Sequence, residues 1–130
     1  MPRISEGWLQ CAAITIFLTV GFGAFGAHGL QHILTEKGRA IFQTAVFYQA
    51  IHALGIAVVA LTHGVRALPI QRICTVFLLG IVLFSGSLYA LAITELSYPE
   101  LRWLGAITPF GGTLFLIGWG MFAWSLRRPV

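Results

Sequence analysis

Charge is what this sequence has least of. Lys, Arg, Asp and Glu together make up 9% of its 130 residues, where an ordinary soluble domain carries about a quarter. A chain so poor in charge lacks the polar surface to cover itself in water, so its solvent is lipid. Cysteine is scarce as well. Cys11 and Cys74 form no CxxC pair, and each falls in the first turn of an apolar run. They read as small buried hydrophobes, not as a disulfide or a metal pair. Inside the apolar runs no Asp or Glu is present to serve as a general base. There is no nucleophile elbow, no His-Glu-x-x-His helix and no phosphate-cradling glycine loop. Gly21-x-Gly23-x-x-Gly26 fits the dinucleotide spacing, but it lies late in an apolar run and not between a strand and a helix. These absences argue against an enzyme, a metal centre and a cofactor, and nothing points to nucleic acid.

What is present is apolar. Hydrophobic residues make up 58% of the chain, and the mean hydropathy is +0.87. Four charge-free runs occupy residues 8–30, 41–61, 73–93 and 103–126. About twenty residues at ~1.5 Å each span ~30 Å, the hydrocarbon thickness of a bilayer. Short connections separate the runs, and none is long enough to divide domains. The expectation is one all-α domain over residues 1–130, a four-transmembrane-helix bundle with up-down topology. Arg3 ahead of an apolar run, with Ala24-Phe25-Gly26-Ala27 after it, resembles a signal peptide. The run exceeds a signal core of about 7–15 residues, so it reads as a retained helix.

The formal net charge of +4 sits at span ends, as membrane anchors do. Alternating spans put Arg3, Arg66, Arg72, Arg127 and Arg128 on one side of the membrane. Lys37, Arg39 and Arg102 fall on the other, offset by Glu36, Glu95 and Glu100. The positive-inside rule then places both termini in the cytoplasm, in a multi-pass protein of the cytoplasmic (inner) membrane. Trp8, Trp103 and Trp124 near span ends suit an interfacial belt.

Local signals mark the helix ends. Thr35 reads as the N-cap of the second helix, with Glu36 in its first turn. Residues 62–72, with Pro69, read as a loop, and Tyr98-Pro99-Glu100 as a turn. In the fourth run, Thr108 capping a helix whose first residue is Pro109 is favoured over a proline kink. Residues 104–107 would then be apolar, non-helical backbone at membrane depth, buried in protein or facing water.

Polar side chains inside the spans each require a partner. Thr44, Tyr48 and His52 are four apart and share a helix face, and Gln49 neighbours His52. His28 closes the first span, Ser85, Gly86, Ser87 and Tyr89 lie in the third, and Thr108, Gly111 and Gly112 open the fourth. Up-down topology places all of these groups in the outer half of the bundle. One reading is structural: they hydrogen-bond across helices, while Gly23, Gly26, Gly86, Gly111 and Gly112 let the backbones approach. The sharper reading is a site at His28, Tyr48, Gln49 and His52, with Thr44, Ser85, Ser87, Tyr89 and Thr108 around it. It would bind a small ligand, a quinone or a metal, hold haem between His28 and His52, or relay protons. His32 and His63 fall in connections and read as solvated.

The motifs also carry a resemblance. Gly23-Ala24-Phe25-Gly26-Ala27-His28 is followed by Phe42-x-Thr44-Ala45-Val46-x-Tyr48-Gln49-x-x-His52-Ala53-Leu54. Then come Phe84-Ser85-Gly86-Ser87-Leu88-Tyr89, Leu104-Gly105-Ala106-Ile107-Thr108-Pro109-x-Gly111-Gly112 and Gly118-Trp119. In these the chain resembles the small membrane proteins classed as domain of unknown function 423, related to transmembrane protein 256 of mitochondria. Those proteins often have Ser-Pro-Glu before the second helix, where this chain has Thr35-Glu36-Lys37, which keeps the cap. The resemblance implies a four-span inner-membrane protein and no particular activity. The function expected is a non-enzymatic accessory or interaction subunit, whose partners are the lipid bilayer and either itself or another membrane protein. The alternative is a small transporter, channel or ligand-binding protein.

Overall fold

The computed structural model describes residues 3–94 and 99–129. Its α-helices are α1 (Glu6–His28), α2 (Glu36–His63), α3 (Ile70–Thr94) and α4 (Thr108–Ser125), and a 3-10 helix, Pro99–Ala106, precedes α4. Among the described residues, four helical segments, the last running from Glu100 to Ser125, are long and apolar enough to cross a bilayer. The architecture is all-α, as the charge-free runs require.

The helix starts follow from local chemistry. Thr35 caps α2: its Oγ1 accepts the Gly38 N–H at 2.9 Å, and Glu36 sits in the first turn. The start of α4 differs from the expected cap. Ile107 holds the cap position, Thr108 is already helical, and Pro109 falls in the first turn. A proline there costs little, because the N–H it lacks would have had no partner within the helix. The Thr108 hydroxyl is spent elsewhere, on Ser87 Oγ of α3 at 2.7 Å. The stretch before it is not the non-helical dip expected either. It belongs to the 3-10 helix through Ala106, whose internal bonds satisfy backbone groups close to lipid. Of the expected turn, Tyr98 lies outside the described residues, while Pro99 and Glu100 open the 3-10 helix.

α2 and α3 form the central pair, with α1 packed along α2 and α4 along α3. Successive helices run antiparallel. Gly26 near the end of α1 faces the Phe42 ring near the start of α2. The outer helices also reach the far member of the central pair. From α1, the Trp8 indole N–H donates to Gln71 Oε1 on α3 at 3.0 Å. At the same end, Arg66 donates to the carbonyls of Leu126 and Arg128, joining the second connection to the C-terminal segment. His63 is half-buried, not solvated as expected, and accepts the Leu68 N–H at 3.1 Å.

The core has two apolar clusters. The larger, towards the arginine-rich end, is centred on Ile56, Val59, Ile73, Cys74 and Phe77, all fully buried. The smaller gathers Leu30, Leu34, Phe42 and Ala92. Between them along α2 and α3 lie Gln49, His52 and Ser85, each at most 4% exposed. Cys74 and the half-buried Cys11 are free thiols. Phe17, Val20, Phe110 and Leu116 point outward, as lipid-facing residues do.

Candidate functional site

Small residues set how closely α3 and α4 approach. A methyl group on Gly111 would collide with the backbone of Phe84, one on Gly80 with the Phe115 ring, and one on Gly118 with the Phe77 ring. Of the glycines expected at helix contacts, Gly26 lies hard against Phe42, while Gly23 and Gly112 have ordinary van der Waals neighbours. Gly86 faces open space.

That close packing brings polar groups from distant positions together. Tyr89 on α3 donates its hydroxyl to Gln49 Oε1 on α2 at 2.6 Å, and Gln49 Nε2 donates to the Thr15 carbonyl on α1 at 3.4 Å. Three helices are tied at one side chain. The Tyr89 ring is held between Phe22 and Phe42, with centroids 5.1 and 4.9 Å away. Ser85 Oγ donates to the Ala45 carbonyl at 2.8 Å, a second link from α3 to α2. Tyr89→Phe removes the hydroxyl and leaves the ring packing intact. It should lower stability by about 0.6 kcal/mol and at most about 1.7 kcal/mol, as membrane hydrogen bonds do. Denaturant titration in mixed micelles reads this directly, and a loss of several kcal/mol would show that Tyr89 holds more than one bond.

His52 turns the other way, towards α4. The Trp119 indole N–H donates to His52 Nε2 at 3.0 Å, and His52 Nδ1 lies 2.7 Å from the Tyr48 carbonyl. Indole nitrogen is a donor only, so Nε2 carries the lone pair and Nδ1 the proton. One tautomer satisfies both bonds. The imidazole stacks on Phe115 at 3.4 Å and meets the edge of Phe77 at 5.6 Å. Tyr48 packs on Phe84 at 4.6 Å. Tyr48, His52 and Trp119 line a lipid-facing cleft of about 490 Å³.

The expected polar set therefore divides. Tyr48 and Gln49 are neighbours in sequence, yet successive helical residues point about 100° apart, and the two side chains face opposite flanks of α2. Ser87 and Thr108 form a separate link. Thr44 is exposed and its hydroxyl bonds back to the Ala40 carbonyl at 3.0 Å, as isolated threonines in lipid do. His28 is exposed at the end of α1 and bonds to none of the other candidates among the described residues. His52 lies sixteen residues into α2, roughly 24 Å along the helix at ~1.5 Å per residue. Sequence reasoning missed Thr15, Phe115 and Trp119. Gly118-Trp119 belongs to the motifs that carry the family resemblance, but nothing in the sequence marks the Trp119 ring as a partner for a buried imidazole.

Residues 22–112, from the glycine-rich end of α1 to the start of α4, match the family described as Protein of unknown function (DUF423). The chain belongs to this family. This DUF423 protein is 46% identical over 107 residues to a UPF0382 membrane protein of Staphylococcus epidermidis, covering 82% of this chain and 84% of that protein. It is 46% identical over 112 residues to the UPF0382 membrane protein YwdK of Bacillus subtilis, covering 84% and 86%. Against a UPF0382 membrane protein of Haemophilus influenzae the identity is 43% over 119 residues, covering 91% of each chain. No solved structure matches it. The relatives are called membrane proteins, in agreement with four apolar helices, and no enzymatic name occurs among these DUF423 relatives.

Proposed function

We propose that this protein is a non-enzymatic accessory or interaction subunit of the cytoplasmic membrane, with both termini on the cytoplasmic side. One observation carries the reading: of the buried polar side chains, Gln49, His52, Ser85 and Ser87 fasten helices to one another, while the Thr15 and Thr19 hydroxyls bond back within α1. Gln49 joins α1, α2 and α3, His52 joins α2 to α4, Ser85 joins α3 to α2, and Ser87 joins α3 to α4. Groups bound in this way hold the helices in register and are not poised to react. The orientation rests on five arginines at the end that holds the termini.

The surface for a partner is α1. Only Ala12, Thr15 and Thr19 of its 23 residues are buried, and it offers Phe17, Val20 and Phe25 outward. A helix of another membrane protein, or of a second copy, would cover this face. A photoreactive amino acid at Phe17, with one at the exposed Val82 on α3 as reference, tests the reading in native membranes. Position 17 should give a discrete protein adduct at least several-fold above position 82. Equal, lipid-only labelling at both positions would overturn it.

A further inference from the structure

The arginine-rich end holds a cavity that the polar network does not use. Five arginines gather there, Arg3, Arg66, Arg72, Arg127 and Arg128, and the only acidic side chain in the segments at that end is Glu6. Two of the five have internal work. Arg66 donates to the Leu126 and Arg128 carbonyls, and Arg127 lies over the Trp124 ring, 4.4 Å from its centroid. Arg72 and Arg128 instead line one cavity of about 680 Å³ between the start of α3 and the end of α4. No carboxylate lines it among the described residues. By holding the Arg128 carbonyl, Arg66 keeps the C-terminal segment beside α3.

Two arginines on one cavity concentrate positive charge there, which an anion bound between them would neutralise. A phosphate oxygen pair suits them, since a guanidinium presents paired N–H donors at the matching spacing. Apart from Ser125, the rest of the cavity is lined by apolar residues. That wall includes Leu68, Pro69, Gly120, Met121 and Trp124, the last 64% exposed. Beside Gly120 the space is open: a Cβ added there would meet nothing within 4 Å. The cavity thus joins a cationic mouth at a span end to an apolar channel along α4. A phosphodiester carrying an acyl chain has both parts, and basic pockets between transmembrane helices bind such head groups.

We propose that this cavity binds an anionic phospholipid, its phosphodiester held by Arg72 and Arg128 and an acyl chain lying along Gly120. The site is separate from the His52 network and does not depend on which side of the membrane the arginine-rich end faces.

The test is retention of added lipid by the full-length protein in mild detergent, read by native mass spectrometry. Dioleoyl phosphatidylglycerol is compared with dioleoyl phosphatidylcholine. The native chain should retain the glycerol lipid about thirtyfold better, since two arginines near the surface each contribute about 1 kcal/mol towards an anionic lipid. R72Q/R128Q should bring that preference to within about twofold, while K37Q at the opposite end leaves it unchanged. Gly120→Phe keeps both charges and blocks the channel, so it should lower retention of the glycerol lipid by a similar factor. This variant decides the question if the double variant does not fold. Equal retention of the two lipids by the native chain would overturn the proposal. So would an unchanged preference in R72Q/R128Q, unchanged retention in Gly120→Phe, or full displacement of the lipid by millimolar inorganic phosphate, which would mark a site for free anions.

Discussion

Gly111→Ala should cost this protein a large share of its stability, although it adds one methyl group. Hydrophobic burial does not drive association between helices already in lipid, so their stability comes from close packing and hydrogen bonds. At Gly111 the obstacle to a side chain is the Phe84 backbone, with its N and Cα atoms directly in the path of a Cβ. A side chain could rotate aside, but a backbone cannot. α4 must therefore move away from α3. That displacement also loosens the neighbouring contacts of Gly80 with Phe115 and of Ser87 with Thr108. Overpacking costs about 1–3 kcal/mol, and a fixed obstacle puts this substitution at the upper end. Gly86→Ala is the matched control on α3, because Gly86 faces open space. Thermal unfolding in detergent should show a clearly lower midpoint for the first variant and an unchanged one for the second. Equal midpoints would mean that α3 and α4 do not approach as described.

The second large effect is expected at Phe77. Its ring is fully buried and lies 4.9 Å from Trp119 and 5.6 Å from His52. Phe77→Ala removes about 100 Å³. At ~24 cal/mol per Å³ of cavity this amounts to about 2 kcal/mol, since the transfer contribution is small for a protein that unfolds within lipid. Gly118 supplies a sharper form of the test. A Cβ on Gly118 would strike the Phe77 ring, so Gly118→Ala alone should also destabilise. In the double variant the added methyl occupies part of the space the ring vacates. The combined loss should therefore fall below the sum by at least about 0.5 kcal/mol, the threshold for coupled neighbours. An additive result in the double-mutant cycle would show that the two residues do not touch.

Much of the architecture was legible because it depends on length and charge. Four runs free of charge dictate four spans, and Thr35 with Glu36 marks a helix start whatever the solvent. Several residues of the family motifs, among them Gln49, His52, Ser85 and Gly111, lie where helices meet. What could not be read was the rotation of each helix about its axis. In water a helix shows its buried face by its apolar stripe. In lipid both faces are apolar, and α1, α2 and α4 give no such signal. Tyr48 and Gln49 therefore read as one cluster, although they point to opposite flanks. Gly86 read as a packing glycine, whereas Gly80 and Gly118 hold those positions on α3 and α4. His52 was recognisable as a residue in need of a partner. Its partner, Trp119, was not, because an indole in a span is indistinguishable from a lipid-facing aromatic until the helices are placed.

The pairing of His52 with Trp119 bears on coordination chemistry. An iron or other metal bound through this imidazole would need the electron pair at Nε2 that the indole now occupies, or would take Nδ1 from the Tyr48 carbonyl and send its proton to Nε2, where the indole N–H then meets no acceptor. In either case ligation would break the clasp between the second and fourth spans. Loading a metal there and keeping this arrangement of helices are mutually exclusive.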